Sequence, residues 1–255
     1  MKKITFTLGL AALLLTSLTS VQASLIAYDG FTTANSSGTG WTGNWSGSYT
    51  LGGASLDSGN GLVTSGGSST GGAYFNSNPG GEPTRLITTP ATTGDVWVSW
   101  LQESNPNNGD LGQLRFQSGG NMQFVIGQHF DSNIFKIYNP DVDGAVTNSG
   151  VAISGTQFVT VRFNLDSKAV SLWINPTGLG TGLTPSSAAA ASTAPGGAFS
   201  FDTLKFTSQT ATFNVDEVRV GTTWADVSPI PEPSTYAMLA LGLGAVFFLR
   251  RRRTA

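Results

Sequence analysis

The side chains in this sequence that could catalyse a reaction are few, and the carboxylates come first. Hydrolysis of a glycosidic bond needs two carboxyl groups that face each other across the bond. Asp216 and Glu217 are adjacent, and on a regular strand neighbouring side chains point to opposite faces. A bulge would change this, but the spacing favours a structural role in turns and backbone hydrogen bonds. Glu103 is a single acid at the end of a predicted strand, where a solvated carboxylate is expected.

Histidine and cysteine chemistry is limited by composition. His129 is the single histidine among 255 residues, and there is no cysteine. A serine triad needs a histidine that accepts the hydroxyl proton, and the residues around His129 match no nucleophile or metal motif. One histidine without thiolates also offers too few of the ligands that zinc prefers. The sequence therefore predicts no catalytic, cofactor-binding or zinc site, and His129 is expected in a loop or edge strand.

Calcium is the one metal for which the sequence offers ligands. Asp141 and Asp143 stand two residues apart, a spacing at which oxygen ligands often enter calcium loops. Ala145 provides no third ligand, and no glutamate closes the loop as in an EF-hand. Pro140 before the pair and Gly144 after it favour an ordinary β-turn. Asp141 and Asp143 are therefore calcium candidates, with a plain turn as the preferred interpretation.

Aromatic side chains could instead bind sugars by stacking on their rings. Trp173 is out of phase with Val170 and Leu172 in one predicted strand, and Trp97 is out of phase with Val96 in another. In a strand, alternate side chains point to opposite faces of the sheet. Either tryptophan would contact a carbohydrate if its face were open. The pattern favours the alternative, in which both cover the second face of a sheet.

The N-terminal residues differ in composition from the middle of the chain. Lys2 and Lys3 precede an apolar run, and Val21-Gln22-Ala23 forms a small-residue cleavage pattern before Ser24. This order is typical of a secretory signal peptide, and it predicts cleavage by signal peptidase between Ala23 and Ser24. The predicted divisions are a signal peptide (1–23), a β-domain (24–228) and a C-terminal signal (229–255).

The C-terminal signal has three parts in a fixed order. These are Pro231, Glu232 and Pro233, then an apolar run from Tyr236 to Leu249, then Arg250, Arg251, Arg252 and Arg253. A lasting span needs about 20 residues, so a short membrane segment at about 235–249 is predicted, with a basic stop after it. Together the three parts resemble the PEP-CTERM sorting signal of Gram-negative bacteria. The resemblance implies processing near Pro-Glu-Pro by an exosortase, a membrane-embedded cysteine transpeptidase, and export to the cell surface or an exopolysaccharide matrix.

The charge of the predicted domain excludes some partners. Residues 24–228 contain seven basic and fourteen acidic residues, a net charge of −7. Nucleic-acid binding needs a basic surface, so nucleic acid is not an expected partner. The same net charge argues against anionic polymers, unless divalent cations bridge them.

The middle of the chain predicts an all-β fold. Short β-branched and aromatic runs alternate with Gly, Pro, Asn and Asp clusters, as in sandwiches and barrels. Phe158–Asn164 alternates cleanly, with Val159, Val161 and Phe163 predicted to face inward and the residues between them outward. Gly119-Gly120 predicts a hairpin turn. Within a low-complexity loop, Ala188–Ala191 has the composition of a helical turn, but Pro185 and Pro195 on either side restrict it.

The last two predicted strands change phase along their length. Phe201 is out of phase with Leu204, and Val215 is out of phase with Val218. A strict period of two cannot place both members of such a pair on one face. A bulge is therefore predicted in each strand, near Asp202-Thr203 and near Asp216-Glu217, unless the strands are buried on both faces.

Four stretches carry a second resemblance. Leu25–Phe31, Gly40–Trp45, Val170–Pro176 and Val215–Trp224 are similar to strands of laminin-G-like, concanavalin-A-like jelly rolls in exported bacterial proteins. The resemblance implies two antiparallel sheets packed face to face, a fold often used for carbohydrate or protein binding, and leaves the function open.

The combined expectation is an exported, non-enzymatic protein of the cell surface or extracellular matrix, with polysaccharide binding or adhesion as its role. The membrane is expected as a partner of the C-terminal segment, at least transiently. Two alternatives stay open. One is a glycan-active hydrolase on the same fold, and the other is a structural protein permanently anchored by its tail.

Overall fold

A computed structural model of the chain describes residues 25–31, 38–47, 50–53, 72–75, 82–104, 112–129, 132–140, 145–179, 184–193, 200–207 and 213–228. These ranges form fifteen strands and one short helix. The elements are β1 (Leu25–Asp29), β2 (Trp41–Ser46), β3 (Thr50–Gly53), β4 (Gly72–Phe75), β5 (Thr84–Ile87), β6 (Asp95–Ser104), β7 (Gln113–Ser118), β8 (Asn121–His129), β9 (Ser132–Asn139), β10 (Ala145–Ala152), β11 (Gly155–Asn164), β12 (Ala169–Ile174), β13 (Ala191–Thr193), β14 (Thr203–Thr207), β15 (Phe213–Gly221) and α1 (Trp224–Val227).

The strands form two antiparallel sheets that pack face to face. The eight-stranded sheet has the order β13-β12-β11-β6-β15-β4-β3, with β1 paired to β15. The seven-stranded sheet has the order β10-β9-β8-β7-β14-β5-β2. The expected all-β, two-sheet jelly-roll sandwich is therefore confirmed.

The main hydrophobic core fills the space between the sheets, and β11 illustrates how the sequence builds it. Val159, Val161 and Phe163 are fully buried in this core, as their alternation predicts. Phe163 meets Phe116 of the opposite sheet edge-on, with ring centroids 4.6 Å apart. Aromatic pairs in this arrangement stabilise beyond the area they bury.

The predicted bulge in β15 is confirmed. The pairing of β15 with β6 shifts register between Asp216 and Arg219, and Glu217 adopts a positive φ of 53°. The extra residue lets Val215 and Val218 both point into the core. The bulge predicted for β14 is not observed within the strand, because β14 pairs with β5 and β7 without a shift in register. The change of phase lies just before the strand, where Asp202 donates its N–H to the Gln117 carbonyl.

The turn prediction at Gly119-Gly120 is also confirmed. These two residues join β7 to β8 with φ values of 55° and 85°, as a two-residue type I′ hairpin requires. The helical turn considered at Ala188–Ala191 is wrong. Ala190 donates its N–H to the Leu172 carbonyl, and Ala191 begins β13, which pairs with β12. Pairing to a free sheet edge satisfies these backbone groups better than an isolated helical turn would.

Helix α1 follows β15 and ends the described chain. Thr223 caps it, and the capping box is completed by Asp226. Trp224 of α1 is fully buried, so this short helix is fixed by its packing. Among the residues that the structure describes, no helix is long and apolar enough to cross a membrane. The predicted membrane segment at about 235–249 and the signal peptide lie outside those residues.

Candidate functional site

The two tryptophans considered for sugar stacking lie on the outer face of the eight-stranded sheet but are closed to solvent. Trp97 is 2% exposed and Trp173 is 7% exposed. Their rings stack with centroids 5.4 Å apart, and Trp224 of α1 packs on Trp97 at 5.7 Å. The Trp173 indole N–H donates to the Ser187 carbonyl. Both tryptophans therefore cover the sheet, and neither offers a ring to a ligand.

The adjacent carboxylates at the β15 bulge are engaged in the fold. Asp216 is fully buried, and Glu217 is 5% exposed. Glu217 accepts a hydrogen bond from the Tyr28 hydroxyl at 3.0 Å and pairs with Arg219 at 2.8 Å. Asp216 accepts the Glu217 N–H. These contacts support the structural role that the sequence favours for the pair, because both carboxylates stabilise the bulge.

A row of polar side chains crosses the outer face of the seven-stranded sheet. Direct strand pairing places Thr84 opposite Lys205, Lys205 opposite Arg115, and Arg115 opposite Val125. Val125 lies opposite Tyr138 in turn. Residues directly opposite each other share a face. With strands about 4.8 Å apart, the distance from Lys205 to Tyr138 is about 14 Å.

We call this surface the basic face, and define it by Lys205, Arg115, Tyr138, Lys136 and Glu82. Lys136 belongs to the neighbouring row, opposite Gly127. The side chains of Arg115 and Lys205 are 24% and 21% exposed, whereas Lys136 is 6% exposed.

Glu82 connects the charged groups of the basic face. Its carboxylate pairs with Lys205 and with Arg115, whose Nη1 lies 3.3 Å from Oε1. The Thr207 hydroxyl donates to the same oxygen at 3.1 Å. Partial burial by itself raises the pKa of Glu82, but Lys205, Arg115 and Thr207 together bring this pKa below its ordinary value of 4.5. Glu82 is therefore ionised at neutral pH and compensates part of the positive charge.

The floor of the basic face is nearly closed to solvent, while its charged groups stay partly open. Val125, Thr203, Thr207 and Gln113 are each 6% exposed or less. The Gln113 amide donates to the Gln128 carbonyl, and the hydroxyls of Thr203 and Thr207 donate to Asp202 and Glu82, so the donors that remain for a ligand are those of the cations. Among the residues that the structure describes, this face presents the cationic donors of Lys205 and Arg115 beside the single carboxylate of Glu82.

A polar depression lies on the outer face of the eight-stranded sheet. It has a volume of about 150 Å³ and is lined by Arg162, Asn164, Ser167, Ala169 and Ser171. Arg162 pairs with Asp95 at 2.8 Å, and the Asn164 amide donates to the same carboxylate at 2.7 Å. The polar groups here are largely satisfied by each other, which leaves fewer of them for a ligand.

The remaining predicted site residues are not brought together. His129 ends β8 opposite Ser132, and β8 is an interior strand between β7 and β9, not the loop or edge strand expected. Glu103 is half-buried in β6 opposite Thr156. Within the described ranges, no three His, Cys, Asp or Glu side chains are grouped closely enough to hold a metal ion. The calcium candidates Asp141 and Asp143 lie outside those ranges. So do Ala23, Ser24, Pro231, Glu232, Pro233, Arg250, Arg251, Arg252 and Arg253.

The basic face was missed in the sequence, although a signal for it exists. Leu114-Arg115-Phe116 and Leu204-Lys205-Phe206 have the same pattern, in which a cation stands between two buried apolar residues. Each pattern places the cation on the outer face of its strand. Nothing in the sequence says that two strands so far apart along the chain are neighbours, so the cluster became visible only through β7–β14 pairing.

Comparison with solved structures supports the fold class. The protein resembles a structure described for the ganglioside-dependent cell entry of botulinum neurotoxin type C (13% identity, TM-score 0.51, covering 78% of this chain and 48% of the other). The botulinum neurotoxin serotype C1 binding domain is similar (12%, 0.50, 82% and 52%). So is the serotype D/C binding domain (11%, 0.51, 80% and 51%). The chain spans about half the length of each. At this identity the likeness establishes a shared β-sandwich fold alone.

The family comparison concerns the C-terminal end. Residues 229–253 match the PEP-CTERM protein-sorting motif, which covers Pro231, Glu232, Pro233 and the four arginines. The chain therefore carries a PEP-CTERM signal behind a β-sandwich domain. This signal marks a protein for exosortase-dependent export, with sorting at the membrane. A search among curated proteins gives no match.

Proposed function

We propose that this protein is an exported, non-enzymatic component of the cell surface or extracellular matrix that binds a polysaccharide on its basic face. The single observation that carries the proposal is the row from Lys205 through Arg115 to Tyr138, about 14 Å long at the usual strand spacing. The sorting motif at residues 229–253 supports the proposal, because it marks the protein for export and polysaccharides are common outside the cell.

Several features of the basic face support polysaccharide binding. Sugars offer many hydroxyl groups, which can accept hydrogen bonds from the charged donors of Arg115 and Lys205. Tyr138 supplies a half-buried ring against which an apolar sugar face can pack. The strands hold these side chains in fixed positions, and pre-organised groups lose less freedom on binding.

The alternatives differ from this proposal in measurable ways. A hydrolase would need a pair of acids on an open face, and Asp216 and Glu217 are instead closed to solvent. A permanently anchored structural protein would keep its C-terminal segment. Gram-negative origin and calcium binding by Asp141 and Asp143 stay hypotheses. A melting curve that does not respond to millimolar calcium would contradict calcium binding.

The deciding experiment combines a glycan array with a hydrolysis screen on the full-length protein in detergent. We expect binding without turnover. Tyr138→Ala should weaken binding by about tenfold, because it removes the aromatic ring on which the sugar would stack. Ser171→Ala, in the depression on the other sheet, is the matched control and should leave binding unchanged. Binding lost in Ser171→Ala but kept in Tyr138→Ala would assign the ligand to that depression. Turnover abolished by loss of one acid would establish the hydrolase instead.

Mass spectrometry of the native product tests the sorting step. We expect a C-terminus near Pro231–Thr235, because the resemblance implies processing there. An intact C-terminus that still contains Arg250–Arg253 would support the permanently anchored alternative and contradict processing.

A further inference from the structure

The two outer faces of the sandwich differ in how their charges are matched. On the eight-stranded sheet, Arg162 pairs with Asp95 and Arg219 pairs with Glu217, each at 2.8 Å. Each cation there has its own carboxylate. On the basic face, Lys205 and Arg115 share Glu82, so among the described residues two positive charges meet one negative charge.

Strand pairing makes this excess unusual. Lys205 and Arg115 lie directly opposite each other, and like charges in that position destabilise a sheet. The excess persists in a domain whose net charge is −7, so the overall acidity does not describe this surface.

The donors of the basic face also outnumber its acceptors. A lysine ammonium has three donors and an arginine guanidinium has five, and the contacts with Glu82 use only part of them. The buried Nε of Arg115 has no hydrogen-bond acceptor among the described residues, and the same holds for the Nε atoms of Arg162 and Arg219, so the two faces differ in their carboxylates and not in this atom. A carboxylate or sulfate group would supply acceptors in the planar geometry that a guanidinium favours.

We propose that the basic face selects an anionic polysaccharide, whose carboxylate or sulfate groups pair with Lys205 and Arg115. The proposal rests on the polysaccharide-binding function above and adds the charge of the ligand. It departs from the expectation, drawn from net charge, that anionic polymers bind only where divalent cations bridge them. The local charges determine which polymer binds here. Lys205 and Arg115 would contact the ligand directly, whereas salt screens the attraction or repulsion of acidic residues farther than about 10 Å away.

The test compares three polymers on the full-length protein in detergent: polygalacturonate, dextran sulfate and uncharged dextran. We expect binding to the first two and much weaker binding to dextran. Raising the salt from about 30 to about 300 mM, which shortens the screening length about threefold, should weaken binding to both anionic polymers. Lys205→Gln and Arg115→Gln should each weaken it by about tenfold, as expected for one charge-assisted hydrogen bond.

Lys168→Gln is the matched control, because it removes one positive charge from a turn beside the other sheet. It should leave binding unchanged, and an equal loss in this variant would overturn the assignment to the basic face. Equal affinity for dextran and polygalacturonate would overturn the anionic selectivity but keep the polysaccharide-binding function. Failure to bind any glycan on the array would overturn both.

Two further measurements keep the proposal testable. If either substitution prevents folding, the salt dependence of the unaltered protein decides, and binding that does not respond to salt overturns the proposal. Vesicles of phosphatidylglycerol are the second probe. Binding to these vesicles that requires Lys205, without binding to polygalacturonate, would assign the basic face to a membrane surface and overturn the proposal.

Discussion

Arg85 of β5 donates a hydrogen bond to Asp29 of β1, and this ion pair joins the two sheets inside the sandwich. The two side chains are 3% and 0% exposed. Asp29 also accepts the Trp45 indole N–H and the Phe31 N–H, both at 2.8 Å. The Arg85 guanidinium lies 5.4 Å from the Trp41 ring. A buried carboxylate is therefore fully surrounded by donors.

We expect Asp29→Asn to lower the free energy of unfolding by about 3–5 kcal/mol, because it leaves the Arg85 charge buried without its carboxylate. Urea denaturation measures this loss. The matched control is Asp95→Asn, which breaks the pair with Arg162. Both partners there are about one-third exposed, so the expected loss is below about 1 kcal/mol. Equal losses in the two variants would contradict the special role of the buried pair.

The stability of the domain should fall in mild acid through Glu82. Because the folded-state pKa of this carboxyl is below 4.5, its contribution to stability is present above about pH 4.5 and is lost as the pH falls through the lower, folded-state pKa. Glu82→Gln should flatten this part of the profile of unfolding free energy against pH. Lys205→Gln should move the loss to higher pH, since it removes a cation that lowers the pKa. If neither substitution changed the dependence of the unfolding free energy on pH, Glu82 would not be the cause of the loss of stability in acid.

Gly127 occupies a position in β8 that no other residue fits. Its φ is 137°, and a Cβ placed there would lie 2.2 Å from the Gly112 carbonyl oxygen. Gly127→Ala should destabilise the domain by more than Gly94→Ala, where φ is also positive but nothing lies within 4 Å. For Gly94→Ala we expect about 1–2 kcal/mol, the cost of the left-handed backbone alone. A thermal melt of both variants measures the difference, and a smaller effect at Gly127 would be inconsistent with the close approach.

The covered tryptophans should contribute to stability and not to ligand binding. Trp173→Ala removes a ring that packs on Trp97, and loss of such a buried ring costs about 3–5 kcal/mol. Binding of polygalacturonate at a temperature where the variant is folded should match that of the unaltered protein. Reduced binding under those conditions would mean that the outer face of the eight-stranded sheet contacts the ligand.

Some of this architecture could be predicted because its cause is local. The alternation of Val159, Val161 and Phe163 follows from the period of a strand, and the bulge at Asp216-Glu217 follows from a change in that period. Two consecutive glycines, Gly119 and Gly120, are a local signal for the hairpin turn that they form. In contrast, β10 was not predicted, because Ala145–Ala152 is an edge strand with much exposed surface and has no apolar side to reveal it.

Other features depend on residues distant in sequence. Whether Trp97 and Trp173 are open or covered is decided by α1 and by the segment around Ser187, which the two strands do not reveal. The pairing of Asp29 with Arg85 joins strands from different sheets. Lys205 and Arg115 meet only because β14 lies beside β7. Local periodicity therefore determined the strands, whereas the candidate site required the strand order.

The position of β15 has a mechanical consequence. β15 is hydrogen-bonded to β6 on one side and to β4 and β1 on the other, and α1 follows it. A pulling force applied at the C-terminal end of the domain therefore enters an interior strand, where two ladders share the load. If the same force entered at β10 or β13, at the free edges of the sheets, it would act against a single ladder and peel that strand away.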